Sequence, residues 1–133
     1  MAGSLMSVTP TYKDVAYAAV SAAQKLDLYI PQGTGPFALV IMVHGGGFMM
    51  GDKADGAGLG GGDKILAQGY AIASLNYRLA AEAKFPAQIQ DVKAAVRFLR
   101  ANAQKFNLNP DKFAAFGASA GGNLVSLLGT SCG

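Results

Sequence analysis

Ala38-Leu39-Val40-Ile41-Met42-Val43, running directly into His44-Gly45-Gly46-Gly47-Phe48, is the stretch on which the fold turns. An unbroken apolar run, β-branched in part, makes a strand with no polar face. Such a strand is stable only where layers cover both of its sides, as in the interior of a parallel sheet. The run therefore predicts a central strand. Tyr70 to Leu75 has the same character and ends at Asn76-Tyr77-Arg78, which predicts a second interior strand. Between the two, the stretch from Gly45 to Gly62 holds nine of the eighteen glycines, which marks a loop region. A short helix from Asp63 to Gln68 follows, stopped at Gly69, where a left-handed backbone costs nothing.

Working outward, Tyr12 to Tyr17 predicts an edge strand. Leu26, Leu28 and Ile30 alternate with Lys25, Asp27 and Tyr29, the period of a half-buried strand. Pro31 to Pro36 predicts a turn. Downstream, Ile89, Val92, Val96 and Leu99 recur at spacings of three and four after Pro86, with Gln88, Asp91, Lys93, Arg97 and Arg100 as the polar remainder of an amphipathic helix. Asn107-Leu108-Asn109-Pro110-Asp111 breaks that pattern, Lys112 to Phe116 predicts a short strand, and a turn follows at Gly117. Leu124, Val125, Leu127 and Leu128 then surround a helix on most sides, which predicts a buried one. Strands alternating with helices give an α/β class, a mostly parallel sheet flanked by helices, with no internal repeat and no linker.

Composition narrows the function. With 51% apolar residues and only 14% charged ones, the 133-residue chain reads as one core-rich globular unit. A net charge of +3 is too small and scattered to form a phosphate-binding field, so no nucleic-acid partner is expected. Six of the eleven basic residues lie between Lys84 and Lys112, mixed with apolar ones, as on a solvated helix face. The single cysteine, Cys132, excludes an internal disulfide framework and fits a reducing, cytoplasmic setting. Met1 to Pro10 shows no basic stretch followed by an apolar core, and the longest bulky apolar run, Phe37 to Val43, is far short of a membrane span. One histidine and one cysteine cannot build a zinc site, and the glycine-rich loop lacks a following Gly-Lys-Ser/Thr, so neither metal nor cofactor is expected.

Two motifs carry chemistry. Gly117-Ala118-Ser119-Ala120-Gly121 is a G-x-S-x-G run lying between a predicted strand and a predicted helix. A serine nucleophile must sit at the tip of a sharp strand-to-helix turn, and small residues two before and two after it leave room for the tight backbone. Gly122 adds clearance. The alternative reading of the run is a plain glycine-rich loop. His44-Gly45-Gly46-Gly47-Phe48 also lies just past a predicted interior strand. Three glycines let main-chain N–H groups approach a reacting carbonyl and stabilise the negative charge that develops on its oxygen. An HGGG-type loop paired with a nucleophile elbow is the pattern of lipases and esterases.

The chain resembles the N-terminal half of an α/β-hydrolase of the hormone-sensitive-lipase-like esterase group, and more narrowly the bifunctional feruloyl and acetyl xylan esterase type. The matching residues are His44 to Phe48, Gly51-Asp52-Lys53, Asn76-Tyr77-Arg78-Leu79-Ala80, Phe85-Pro86-Ala87-Gln88, Asp91 to Val96 and Gly117 to Gly122. The resemblance implies a Ser119 nucleophile, an oxyanion held by the N–H groups of Gly46, Gly47 and Ala120, and acyl transfer to water through an acyl-enzyme. It implies that His44 shapes its loop, alongside Gly45, Gly117 and Gly121 as motif support, and does not act as the base. The implied substrates are carboxylic esters with short acyl or plant-wall aromatic groups. Phe48 stands where the xylan-esterase type often has Trp. Asp91, on the amphipathic helix, and Asp111, beside a proline turn, read more simply as surface or capping carboxylates. Arg78 reads as structural, pairing with a buried carboxylate or a peptide carbonyl.

In that group the triad acid and histidine follow the serine in the chain. The fourteen residues after Ser119 contain no Asp, Glu or His. The expectation is therefore a partial α/β-hydrolase domain over residues 1–133, with C-terminal strands missing and little activity of its own. Its strand before Gly117 would have one open edge, to be met by a second polypeptide carrying the Asp and His or by self-association. The alternative is a non-catalytic α/β module that uses this edge for protein interaction.

Overall fold

The structure is a computed structural model, and it describes residues 10–44, 62–79, 81–84 and 86–117. Five strands form one sheet. In chain order they are β1 (Tyr12–Ala16), β2 (Lys25–Tyr29), β3 (Phe37–Val43), β4 (Ala71–Leu75) and β5 (Leu108–Gly117). Helix α1 (Gly62–Ala67) joins β3 to β4, while α2 (Ala87–Ala101) and the short α3 (Ala103–Phe106) join β4 to β5. The spatial order is β1-β2-β4-β3-β5. The three strands β4, β3 and β5 run parallel, and β2 and β1 continue the sheet in antiparallel fashion.

The apolar run that opens the sequence is β3, flanked by parallel neighbours on both sides, as its composition requires. Its residues alternate between two layers with the strand period of two. Leu39, Ile41 and Val43 face the larger core with Ala71, Ala73 and Leu75 of β4 and with Ile89, Val92, Ala95 and Leu99 of α2. Met42 and Ile72 face the opposite layer, where Ile65 and Leu66 of α1 cover them. Helices on both faces thus account for strands without a polar side. Gly69, at φ +90°, closes the turn after α1, the place the sequence assigns to it.

Three expectations are corrected. Strand β2 is not half-buried. Asp27 and Tyr29 are buried along with Leu26 and Leu28: Tyr29 packs with Met42 and Ile72, and the Asp14 amide of β1, which bulges between Tyr12 and Val15, donates to the Asp27 carboxylate at 2.8 Å. On α2, Gln88 and Asp91 are buried beside the apolar stripe, so that helix presents polar groups to the interior as well as to water. Strand β5 starts at Leu108 and runs through Gly117, longer than Lys112 to Phe116. Asn107, in the left-handed conformation at φ +60°, ends α3 in a single residue, and Leu108 pairs directly with Phe37. The helix expected around Leu124 to Leu128 lies outside the described residues.

The loop before β3 packs against this same Asn107, whose Nδ2 donates to the Thr34 carbonyl at 3.0 Å. Gly35 sits beneath it at φ +61°, where an added Cβ would lie 2.5 Å from the Asn107 amide nitrogen. A side chain there must both adopt a left-handed backbone and push Asn107 off Thr34. Gly35→Ala is expected to cost about 1–3 kcal/mol, read as a lower midpoint in urea with an unchanged slope.

Candidate active site

Strands β3 and β5 are parallel neighbours that end in step, with Met42 opposite Phe116 and Val43 opposite Gly117. Adjacent strands lie about 4.8 Å apart, so Val43, just before His44, and Gly117 stand side by side at the carboxyl end of the sheet. The chain also changes direction at β3: β4 is added on one side of it and β5 on the other. In open α/β sheets the carboxyl ends of strands at such a reversal are where ligands bind. Of the residues singled out in the two motifs, His44 and Gly117 are described. Gly45, Gly46, Gly47, Phe48, Ser119, Ala120, Gly121 and Gly122 lie outside the described residues.

His44 is a packed residue, with 1% of its surface exposed and its Nε2 shut off from solvent. Its ring lies on that of Tyr77, with centroids 4.4 Å apart and planes 15° from parallel. The Tyr77 hydroxyl donates to the His44 carbonyl oxygen at 2.8 Å. Burial pushes the Tyr77 phenol up to about 12, so it remains a hydrogen-bond donor at any ordinary pH. The His44 ring is thus held by packing against Tyr77 and closed off from solvent.

Behind Tyr77 lies a polar cluster. The Asp91 carboxylate, 1% exposed, accepts from the Arg78 main-chain N–H at 2.8 Å, from Arg78 Nη2 at 2.8 Å and from Gln24 Nε2 at 2.8 Å. The Asp91 hydrogen bond holds the Arg78 guanidinium above its ordinary pKa, so Arg78 stays charged. Gln24 in turn accepts from the Val20 and Ser21 amides, and Gln88 donates to the Arg78 and Ala83 carbonyls. The Tyr17 hydroxyl donates to the Asn76 carbonyl, and burial foremost, with the Asp91 charge, raises its pKa. The expectation that Arg78 pairs with a buried carboxylate is met. The expectation that Asp91 lies on the surface is not, because its partners come from the segment that follows β4 and from the loop before β2.

With this geometry in place, similarity to known proteins can be weighed. Residues 26–133 match the BD-FAE family. The chain belongs to that family. It is 37% identical over 109 residues to esterase LipC of Mycobacterium tuberculosis, covering 80% of this chain and 27% of that protein. It is 36% identical over 101 residues to an arylesterase of Saccharolobus solfataricus, covering 74% of this chain and 32% of that protein. Among solved structures, a bifunctional GH43-CE protein of Bacteroides eggerthii superposes with a TM-score of 0.82 at 39% identity, over 90% of this chain and 17% of that one. An alpha/beta hydrolase enzyme from the metagenome of Lake Arreo gives a TM-score of 0.71 at 31% identity, over 81% and 34%. The sheet is that of an α/β-hydrolase, and the chain spans about a third or less of the two curated relatives named. This BD-FAE chain thus bears out the esterase-group resemblance drawn from its motifs. Among its described residues, no helix is long and apolar enough to cross a membrane.

Tyr77 lies within the run Asn76 to Ala80 that carries the resemblance, where nothing local points to a role for it. Its contact with His44 joins residues 33 positions apart and leaves no trace in local periodicity.

Proposed function

We propose that this BD-FAE chain carries the attacking group and the oxyanion-binding loop of a serine carboxylic-ester hydrolase. Ser119 is the nucleophile. The N–H groups of Gly46, Gly47 and Ala120 hold the oxyanion, and Gly45, Gly117 and Gly121 give the backbone the room it needs. The observation that carries this reading is the in-step ending of β3 and β5, which starts both motifs from neighbouring strands at one end of the sheet. The esterase relatives support the same reaction class.

In the first half-reaction the Ser119 oxygen bonds to the ester carbonyl carbon and gives up its proton to a base. The tetrahedral oxyanion then collapses, and the alcohol leaves with a proton returned by that base. Water hydrolyses the acyl-serine in the second half, releasing the acid and restoring the hydroxyl. His44, the one histidine in the sequence, is enclosed beneath Tyr77, so we assign the base to a histidine outside these 133 residues, in a longer form of the chain or in a second polypeptide. On this reading residues 1–133 form part of one α/β-hydrolase domain. The substrates are carboxylic esters with short acyl or plant-wall aromatic groups, and the lone Cys132 fits a reducing compartment.

Fluorophosphonate labelling followed by peptide mass spectrometry tests the nucleophile. The expected adduct is on Ser119 and is lost in Ser119→Ala. An adduct on another residue, or labelling that survives the substitution, overturns the assignment.

A further inference from the structure

We infer that Tyr77 is a positioning residue for the oxyanion loop: its hydroxyl, donating to the His44 carbonyl, sets the direction in which Gly45-Gly46-Gly47 leaves β3. This rests on the ester-hydrolase reading above. The segment holding Tyr77 is itself fixed. The Asn76 amide donates to the Lys25 carbonyl at 2.8 Å, the Tyr17 hydroxyl caps the Asn76 carbonyl, Asp91 grips Arg78 by main chain and side chain, and Gln88 donates to the Arg78 carbonyl at 2.9 Å. Residues on either side of Tyr77 are thus bonded to β2, to the loop before it and to α2.

From that framework the Tyr77 side chain reaches His44 in two ways at once. The stacked rings locate the imidazole, and the phenol locates the carbonyl oxygen. A trans peptide is planar, so fixing the direction of the His44 C=O also fixes the direction of the Gly45 N–H. The next positions are glycines, which have more backbone freedom than any other residue and lose the most entropy when ordered. Oxyanion donors stabilise charge only if they are aimed before the reaction begins. A clamp on the residue just before the glycines supplies that aim where the glycines cannot supply it themselves.

The test compares two Tyr→Phe variants in the form of the protein that includes the base histidine, whether as a longer chain or with the second polypeptide added. Tyr77→Phe and Tyr17→Phe each remove one buried phenol-to-carbonyl hydrogen bond from the same cluster, but only the first touches His44. Ester hydrolysis is followed with p-nitrophenyl acetate, and hydrogen exchange is measured at the Gly45 to Gly47 amides. Tyr77→Phe is expected to lower kcat about tenfold with KM within about twofold, and to speed exchange at those amides. Both substitutions are expected to lower thermal stability to a similar extent, but Tyr17→Phe leaves kcat within about twofold and exchange in the glycines unchanged. Equal effects of the two variants on kcat, or equal exchange at the glycines, overturn the positioning role. Ester turnover that persists in Ser119→Ala sinks the hydrolase reading instead, and the exchange comparison still decides the clamp.

Discussion

In the form of the protein that includes the base histidine, Ser119→Ala is expected to lower ester turnover on the order of 10⁶-fold, the largest loss expected of any single change. The hydroxyl oxygen forms the bond that defines the first half-reaction, and alanine offers no substitute. What remains is attack by water on a carbonyl still polarised by the loop, worth roughly 10³ to 10⁴ over the uncatalysed rate in comparable enzymes. The loss falls in kcat, since the hydroxyl contributes to the transition state and little to holding the ester. Steady-state kinetics on p-nitrophenyl acetate, beside circular dichroism to show an intact fold, makes the measurement. A fall of less than about a hundredfold would mean that water, not Ser119, attacks the carbonyl.

The largest effect on stability is expected at Asp91. Its carboxylate is 1% exposed and satisfies a backbone amide, a guanidinium and the Gln24 side chain together. Asp91→Ala strands all three donors and leaves the Arg78 charge without its counterion. Removing one partner of a buried pair costs about 3–5 kcal/mol; because Arg78 keeps 17% of its side-chain surface in contact with water, the lower end applies. At about 3 kcal/mol, Tm should fall by roughly 10 °C. Replacing both members, as in Asp91→Leu with Arg78→Met, should recover much of that loss, because it removes the desolvated charge along with its partner. A drop under 1 kcal/mol for Asp91→Ala would show that the pair behaves as a solvated surface contact.

These two residues mark what sequence reveals and what it conceals. Ser119, the proposed nucleophile, stands out because Gly117 and Gly121 are the small neighbours that a strand-to-helix turn at that position would require. The strands β3 and β4 and the helix α2 are legible for a similar reason: burial on two faces or on one stripe imposes a composition or a period within a short window. Asp91 obeys the same helical period as its polar neighbours Lys93 and Arg97, so pattern alone puts it in water. Its burial depends on Gln24, 67 positions away, and on Arg78, in the segment between β4 and α2. Strand β5 shows the effect on a boundary. Asn109-Pro110-Asp111 has the chemistry of a turn, yet Leu108 is drawn into the sheet beside Phe37 by the Phe37 amide bond to the Asn107 carbonyl at 2.9 Å. For the candidate site, the motifs were readable one by one. The fact that β3 and β5 are neighbours was not, because strand order is settled by packing across the sheet and not by sequence proximity.

That strand order bears on how the molecule assembles. Val43 and Gly117, paired in the sheet, lie more than half the chain apart. Closing a loop of that length costs entropy before any contact repays it, and parallel pairings of high contact order are slow to form. On a ribosome, β3 and β4 emerge and can pair well before β5 is synthesised. The groups proposed to carry out catalysis therefore come together late in folding, and a change that slows the docking of β5 would reduce the yield of competent molecules without touching a reacting atom.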